Sequence, residues 1–130
     1  MGAAKTTRRF HAKAVEAYSD IDGVLTVHFD DTGGHYLQLQ APAEGYEEEY
    51  GDLGMVYVEV DDQGTSAYDC FSFAELKRGS FRIVFSRTSK LADLGEVEVT
   101  FDLVDQPFRE LRDALGMIFR LTESPSIRLP

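Results

Sequence analysis

Strict alternation of apolar and polar residues recurs along this chain, and it decides most of what the chain can fold into. Leu25, Val27 and Phe29 alternate with Thr26, His28 and Asp30. Leu37 and Leu39 alternate with Tyr36, Gln38 and Gln40. The same pattern runs through Val56, Val58 and Val60, through Phe81, Ile83 and Phe85, and through Val97, Val99, Phe101 and Leu103. A side-chain period of two is the mark of a strand with one buried and one wet face. Residues 10–18 and 66–73 carry the pattern more weakly.

The segments between these strands are short and rich in turn formers. They are Asp30-Asp31-Thr32-Gly33-Gly34, Asp61-Asp62-Gln63-Gly64 and Lys77-Arg78-Gly79-Ser80. Glycine supplies the positive φ of a tight hairpin. Connections this short make antiparallel neighbours, because a parallel crossover needs a dozen residues or more. One long segment has helical spacing instead: Phe108, Leu111, Leu115, Ile118 and Phe119 share one face, with Arg109, Arg112, Asp113 and Arg120 opposite. Asp105 is placed as its N-cap, and Pro107 near the first turn, where a missing N–H costs little. The expected fold is α+β: one antiparallel β-sheet of about six or seven strands, with a helix over 106–121 on its apolar face. No repeat or linker divides the chain, so residues 1–130 are read as a single domain, with an ordered core over 9–121 and a tail over 122–130.

A chain of 130 residues with 43% hydrophobic and 12% aromatic residues can build a core of its own. Cys70 is the single cysteine, so it has no internal disulfide partner and a reducing, cytoplasmic setting is expected. No apolar run reaches the roughly 20 residues of a membrane span, and none follows the basic N-terminus as in a signal peptide.

Charge is distributed unevenly. Residues 14–76 carry 15 acidic residues and no Lys or Arg. The remainder carries all 13 basic residues and the other 8 acidic ones, a net +5 within an overall −10. Phosphate recognition needs Lys and Arg, so the acidic half does not suit nucleic acid.

Chemistry-bearing residues do not assemble into a catalytic signature. Pairing Phe29 with Leu37 and Val27 with Leu39 puts His28 opposite Gln38, with His35 across the pleat or in the turn, so the two histidines do not form a metal pair. His11 reads as a surface residue and Cys70 as a small core hydrophobe. Carboxylates at Asp30-Asp31, Glu47-Glu48-Glu49 and Asp61-Asp62 fall in turns, where water screens them. With no phosphate loop or nucleophile elbow either, no enzymatic activity and no cofactor are expected.

Residues 43–53, Ala-Glu-Gly-Tyr-Glu-Glu-Glu-Tyr-Gly-Asp-Leu, are different in kind. Tyrosine in an acidic loop adds rigid contact area to a protein interface. The expected partner-binding residues are Glu47, Glu48, Glu49, Tyr50, Asp52, Glu59, Asp61 and Asp62, with Tyr50 as anchor and a basic surface on the partner.

The unit YLQLQ…EEEYGDLGMVYVEVDDQGTSAYDCF, the strand LKRGSFRIVF and the closing helix FRELRDALGMIF resemble the immunity protein 10 family of bacterial polymorphic-toxin immunity proteins. The likeness covers about 10–119 and rests on strand order and spacing, on Val58 to Gln63, and on the aromatic Tyr68 that follows. It implies a cytosolic protein that binds and neutralises a cognate toxin domain. An acidic secretion or adaptor chaperone, or a small-molecule-binding domain with a cleft beside the sheet, are the competing readings.

Overall fold

The computed structural model of the chain describes residues 8–20, 22–50, 56–120, 122 and 125–130, with residues 49 and 50 described by backbone only. The elements run β1 (Arg8–His11), β2 (Ala14–Ser19), β3 (Val24–Asp30), β4 (Tyr36–Pro42), α1 (Glu47–Tyr50), β5 (Tyr57–Val60), β6 (Asp62–Tyr68), β7 (Phe71–Lys77), β8 (Ser80–Phe85), β9 (Glu96–Thr100), α2 (Asp105–Phe119) and β10 (Ser126–Arg128). The fold is α+β, with mainly antiparallel strands and α2 packed on them, as the periodicity requires.

Among the described residues the strands are ten rather than six or seven, and they form two five-stranded sheets rather than one. A meander sheet has the order β2-β3-β4-β5-β6, all antiparallel. A mixed sheet has the order β1-β9-β8-β7-β10, antiparallel at its centre and parallel at both edges.

Two corners carry the chain from one sheet to the other. Ala12 donates its amide to Thr100 in the mixed sheet, and the next residue, Lys13, donates to Asp30 in the meander sheet. The second corner is Asp69, at φ 49. Its amide donates to Val56, and Cys70 immediately accepts from Ser86. Bends of this kind let a strand leave one sheet for the next. They explain why 10–18 and 66–73 carry a weak period: each spans a corner, where the inward face changes sheets. The other extra strands, β1 and β10, are only four and three residues long. The stretch beyond 121 thus contributes an edge strand, which lies outside the ordered core read from the sequence.

The two apolar faces cover one another. Phe29 of the meander sheet stacks on Phe81 of the mixed sheet at 5.5 Å between ring centroids and on Phe101 at 6.0 Å. Helix α2 packs against β2, β3 and β4. It buries Phe108, Leu111, Leu115, Ile118 and Phe119 in the same core, with Phe119 against Phe71 at 5.5 Å and Phe81 at 6.3 Å.

The N-cap of α2 is Val104, not Asp105, and makes no side-chain capping bond. Asp105 is the first helical residue, where its charge favours the helix dipole, and it pairs with Arg78 at 3.1 Å. At the other end Arg120 is the C-cap, and its guanidinium donates to Met117 and Pro42 carbonyls. That satisfies a helix-end acceptor and ties α2 to the end of β4. Among the described residues no helix is long and apolar enough to cross a membrane.

Candidate functional site

Register places one set of side chains on the outer face of the meander sheet. Leu37 and Leu39 point inward opposite Val60 and Val58, so Gln38 and Gln40 point outward beside Glu59 and Tyr57. Across the next pair, Tyr57 faces Tyr68 and Glu59 faces Ser66. On the other side His28 lies opposite Gln38, the pairing expected from the β3–β4 hairpin, with 2.9 Å between His28 Nδ1 and Gln38 Oε1. The His28 ring stacks on Tyr36 at 5.2 Å.

These outward side chains enclose an open concavity of about 740 Å³ lined by Tyr36, Gln38, Gln40, Tyr57, Glu59, Gln63 and Tyr68. Glu59 forms its floor and is only 8% exposed. The hydroxyl of Tyr57 donates to Glu59 Oε1 at 2.6 Å, and that of Tyr36 donates to Glu59 Oε2. Burial, and then the bond to Glu59, raise the pKa of both tyrosines, so both hold their protons at neutral pH. Gln40 gives its amide nitrogen to buried Thr26 at 3.1 Å, which leaves its carbonyl oxygen as its acceptor. The Tyr57 and Tyr68 rings meet at 5.2 Å, tilted by 55°. Tyr68 remains 44% exposed at the rim.

Of the eight residues expected to contact a partner, the five with described side chains, Glu47, Glu48, Glu59, Asp61 and Asp62, do not form one patch. Strand β4 is seven residues long, about 20 Å at the usual rise, and, Glu59 apart, these described residues divide between its two ends. At the Pro42 end, α1 carries Glu47 and Glu48. Glu47 pairs with Arg120 at 2.8 Å, and that bond holds its pKa below the usual carboxylate range. Glu48 is exposed. The side chains of Glu49 and Tyr50 and all of Asp52 lie outside the described residues. At the Tyr36 end, Asp61 is tied inward: it pairs with Arg8 and with His35 at 3.2 Å and accepts the Tyr36 amide at 3.0 Å. Asp62 is exposed and accepts the Thr65 amide at 3.1 Å. Glu59 sits between the two ends, in the concavity. Tyr46, in the acidic loop, lies over Gly23, whose φ is +82. A Cβ there would stand 2.3 Å from the ring, so glycine is required for this approach.

Sequence reasoning missed Tyr36 and Tyr57 as the partners of Glu59. The spacing of Tyr57 and Glu59 on one strand face was visible. Their apposition to Tyr36 depends on the β4–β5 register, which the long connection between those strands concealed.

Cys70 is buried, and that burial pushes its thiol up to about 12. His11 is exposed and 2.8 Å from Thr100 Oγ1. Among the described residues no group of three or more His, Cys, Asp or Glu could hold a metal ion.

The family model for immunity protein 10 matches residues 11–109, from the first corner through the opening turn of α2. The chain belongs to the immunity protein 10 family. The match takes in the whole meander sheet and its concavity, together with the centre of the mixed sheet. Comparison with curated proteins and with solved structures gave no match.

Proposed function

We propose that this immunity protein 10 member is a non-catalytic, cytoplasmic inhibitor that binds and neutralises a cognate toxin domain through the outer face of the meander sheet and the acidic segments at its two ends. The observation that carries the reading is the concavity over Glu59, a tyrosine-rimmed recess on the half of the chain that has no Lys or Arg. Tyrosine around a desolvated polar centre is the composition of an interface anchor. The partner's surface is basic in this reading; Glu47, Glu48, Asp61 and Asp62 flank the anchor, and Glu49, Tyr50 and Asp52 are proposed as further contacts. Opposite charges raise association rates by about 10- to 1,000-fold at low salt, which suits an inhibitor that has to capture its target early. The high thiol pKa of Cys70 makes it a poor nucleophile, which supports the non-catalytic reading.

The test is co-expression with the toxin domain encoded beside the gene, followed by stopped-flow association at low and high salt. Wild-type protein restores growth and associates faster at low salt. Glu48→Gln with Asp62→Asn, both exposed, slows association several-fold at low salt and flattens the salt dependence. A rate and salt dependence equal to wild type would remove the acidic surface from the interface, and unrestored growth would remove the immunity reading itself.

A further inference from the structure

Glu59 presents an unusual balance of charge and solvent. Its carboxylate is nearly buried, and its two hydrogen-bond donors, Tyr36 and Tyr57, are neutral. Among the described residues no Lys or Arg lines the concavity above it. Taking a carboxylate out of water is costly, and neutral hydroxyls compensate only part of that cost. Around it stand three tyrosine rings and three glutamine side chains.

The mixed sheet carries a comparable group of side chains with its cation in place. On its outer face the guanidinium of Arg82 lies 5.0 Å from the centroid of the Phe73 ring and 3.3 Å from Glu96. Arg128 covers the same ring at 5.6 Å. Ring, guanidinium and carboxylate are all supplied there by the chain itself. On the meander sheet the chain supplies the rings and the carboxylate.

We propose that the concavity over Glu59 receives one arginine side chain presented by the bound toxin, an inference that rests on reading the chain as a toxin inhibitor. The planar guanidinium slides against the Tyr57 and Tyr68 rings and donates to Glu59 and to the amide oxygen of Gln40. Arginine fits better than lysine because it combines a flat stacking surface with several donors in a fixed fork. Its charge compensates Glu59 in a recess that binding closes to water. The recess therefore fixes which part of a basic toxin surface docks, while the outlying carboxylates govern how fast it arrives.

Two measurements test this. The first is an NMR titration of the full chain with N-acetyl-arginine methylamide. Saturable shifts are expected at the Gln38 and Gln40 side-chain amides and the Tyr36, Tyr57 and Tyr68 rings. They should weaken with the lysine analogue and disappear in Glu59→Gln. No saturable shift at the recess, or equal shifts in Glu59→Gln, overturns the proposal. The second uses the toxin domain. Removing one partner of a desolvated charge pair speeds dissociation, so Glu59→Gln should weaken binding by about 30-fold or more. Tyr68→Ala, at an exposed rim position, should weaken it by up to about tenfold and keeps the test independent of any folding defect in the first variant. Toxin bound with wild-type affinity by both variants overturns the arginine site and leaves the immunity reading standing. An arginine analogue that saturates the recess when no toxin binds supports the site and overturns the immunity reading.

Discussion

Replacing Phe29 with Ala tests the packing of the two sheets most directly. The ring is fully buried and lies against Phe81 at 5.5 Å and Phe101 at 6.0 Å, so it touches the opposite sheet and the strand-to-helix connection together. Burying a phenylalanine contributes about 1.5–3 kcal/mol, and each ring pair adds about 0.5–1.5 kcal/mol. The combined loss is about 2.5–6 kcal/mol, in line with the usual cost of Phe→Ala in a core. Against a total stability of roughly 5–15 kcal/mol that is a severe change. Phe29→Leu retains most of the volume and deletes both ring pairs, for an expected loss of about 1–3 kcal/mol. Urea melts followed by far-UV circular dichroism and tyrosine fluorescence measure this, since the chain has no tryptophan. The unfolding slope has to stay constant for the midpoint shift to be read as stability. Tyr18→Ala is the control: the residue is 48% exposed, and a change within about 0.5 kcal/mol is expected. A Phe29→Ala loss below about 1 kcal/mol at unchanged slope would refute the reasoning, because the sheets could not then meet at that ring.

Gly23→Ala should cost about 1–3 kcal/mol, because the site has φ +82 and the Tyr46 ring occupies the space of the new methyl; adding Tyr46→Ala should return part of that loss in the same melts. Alkaline pH should destabilise the fold. Cys70 is raised from an ordinary 9.0 to about 12, and Tyr36 and Tyr57 are raised from an ordinary 10.0. Their contribution is complete below about pH 9 and is lost as pH rises, because the unfolded chain releases these protons first. Cys70→Ala should flatten the first part of that decline, and native Cys70 should resist thiol reagents at pH 8 until the chain unfolds.

The parts of this fold that the sequence revealed are those set by short-range periodicity. The β3–β4 register followed from matching inward residues across a short turn, and it placed His28 opposite Gln38 correctly. The apolar face of α2 followed from its 3.6-residue spacing. The division into two sheets did not follow, because Ala12 and Asp69 turn corners through backbone hydrogen bonds that leave no side-chain period. At the site, charge singled out Glu59 and Asp61 as partner contacts. Neighbours distant in sequence decide what those carboxylates do: Tyr36 closes over Glu59, and Arg8 holds Asp61. Arg120 likewise claims Glu47 across 73 residues. A one-dimensional count of acidic residues contains none of these pairings.

The corner at Ala12 also bears on when the molecule can finish folding. It continues from β1, which pairs with β9; His11 lies beside Thr100, 89 residues further on. During synthesis the meander sheet has all five strands once residue 68 has left the ribosome, yet β1 must wait for β9. Until then the inner face of the meander sheet, Phe29 included, is at most partly covered: Phe81 is made before β9, but Phe101 and helix α2 come after it. Pairings this remote in sequence are slow to close. A nascent chain therefore carries an incompletely covered apolar sheet from Tyr68 until α2 ends at Phe119, and its exposure to aggregation and proteolysis is concentrated in that interval.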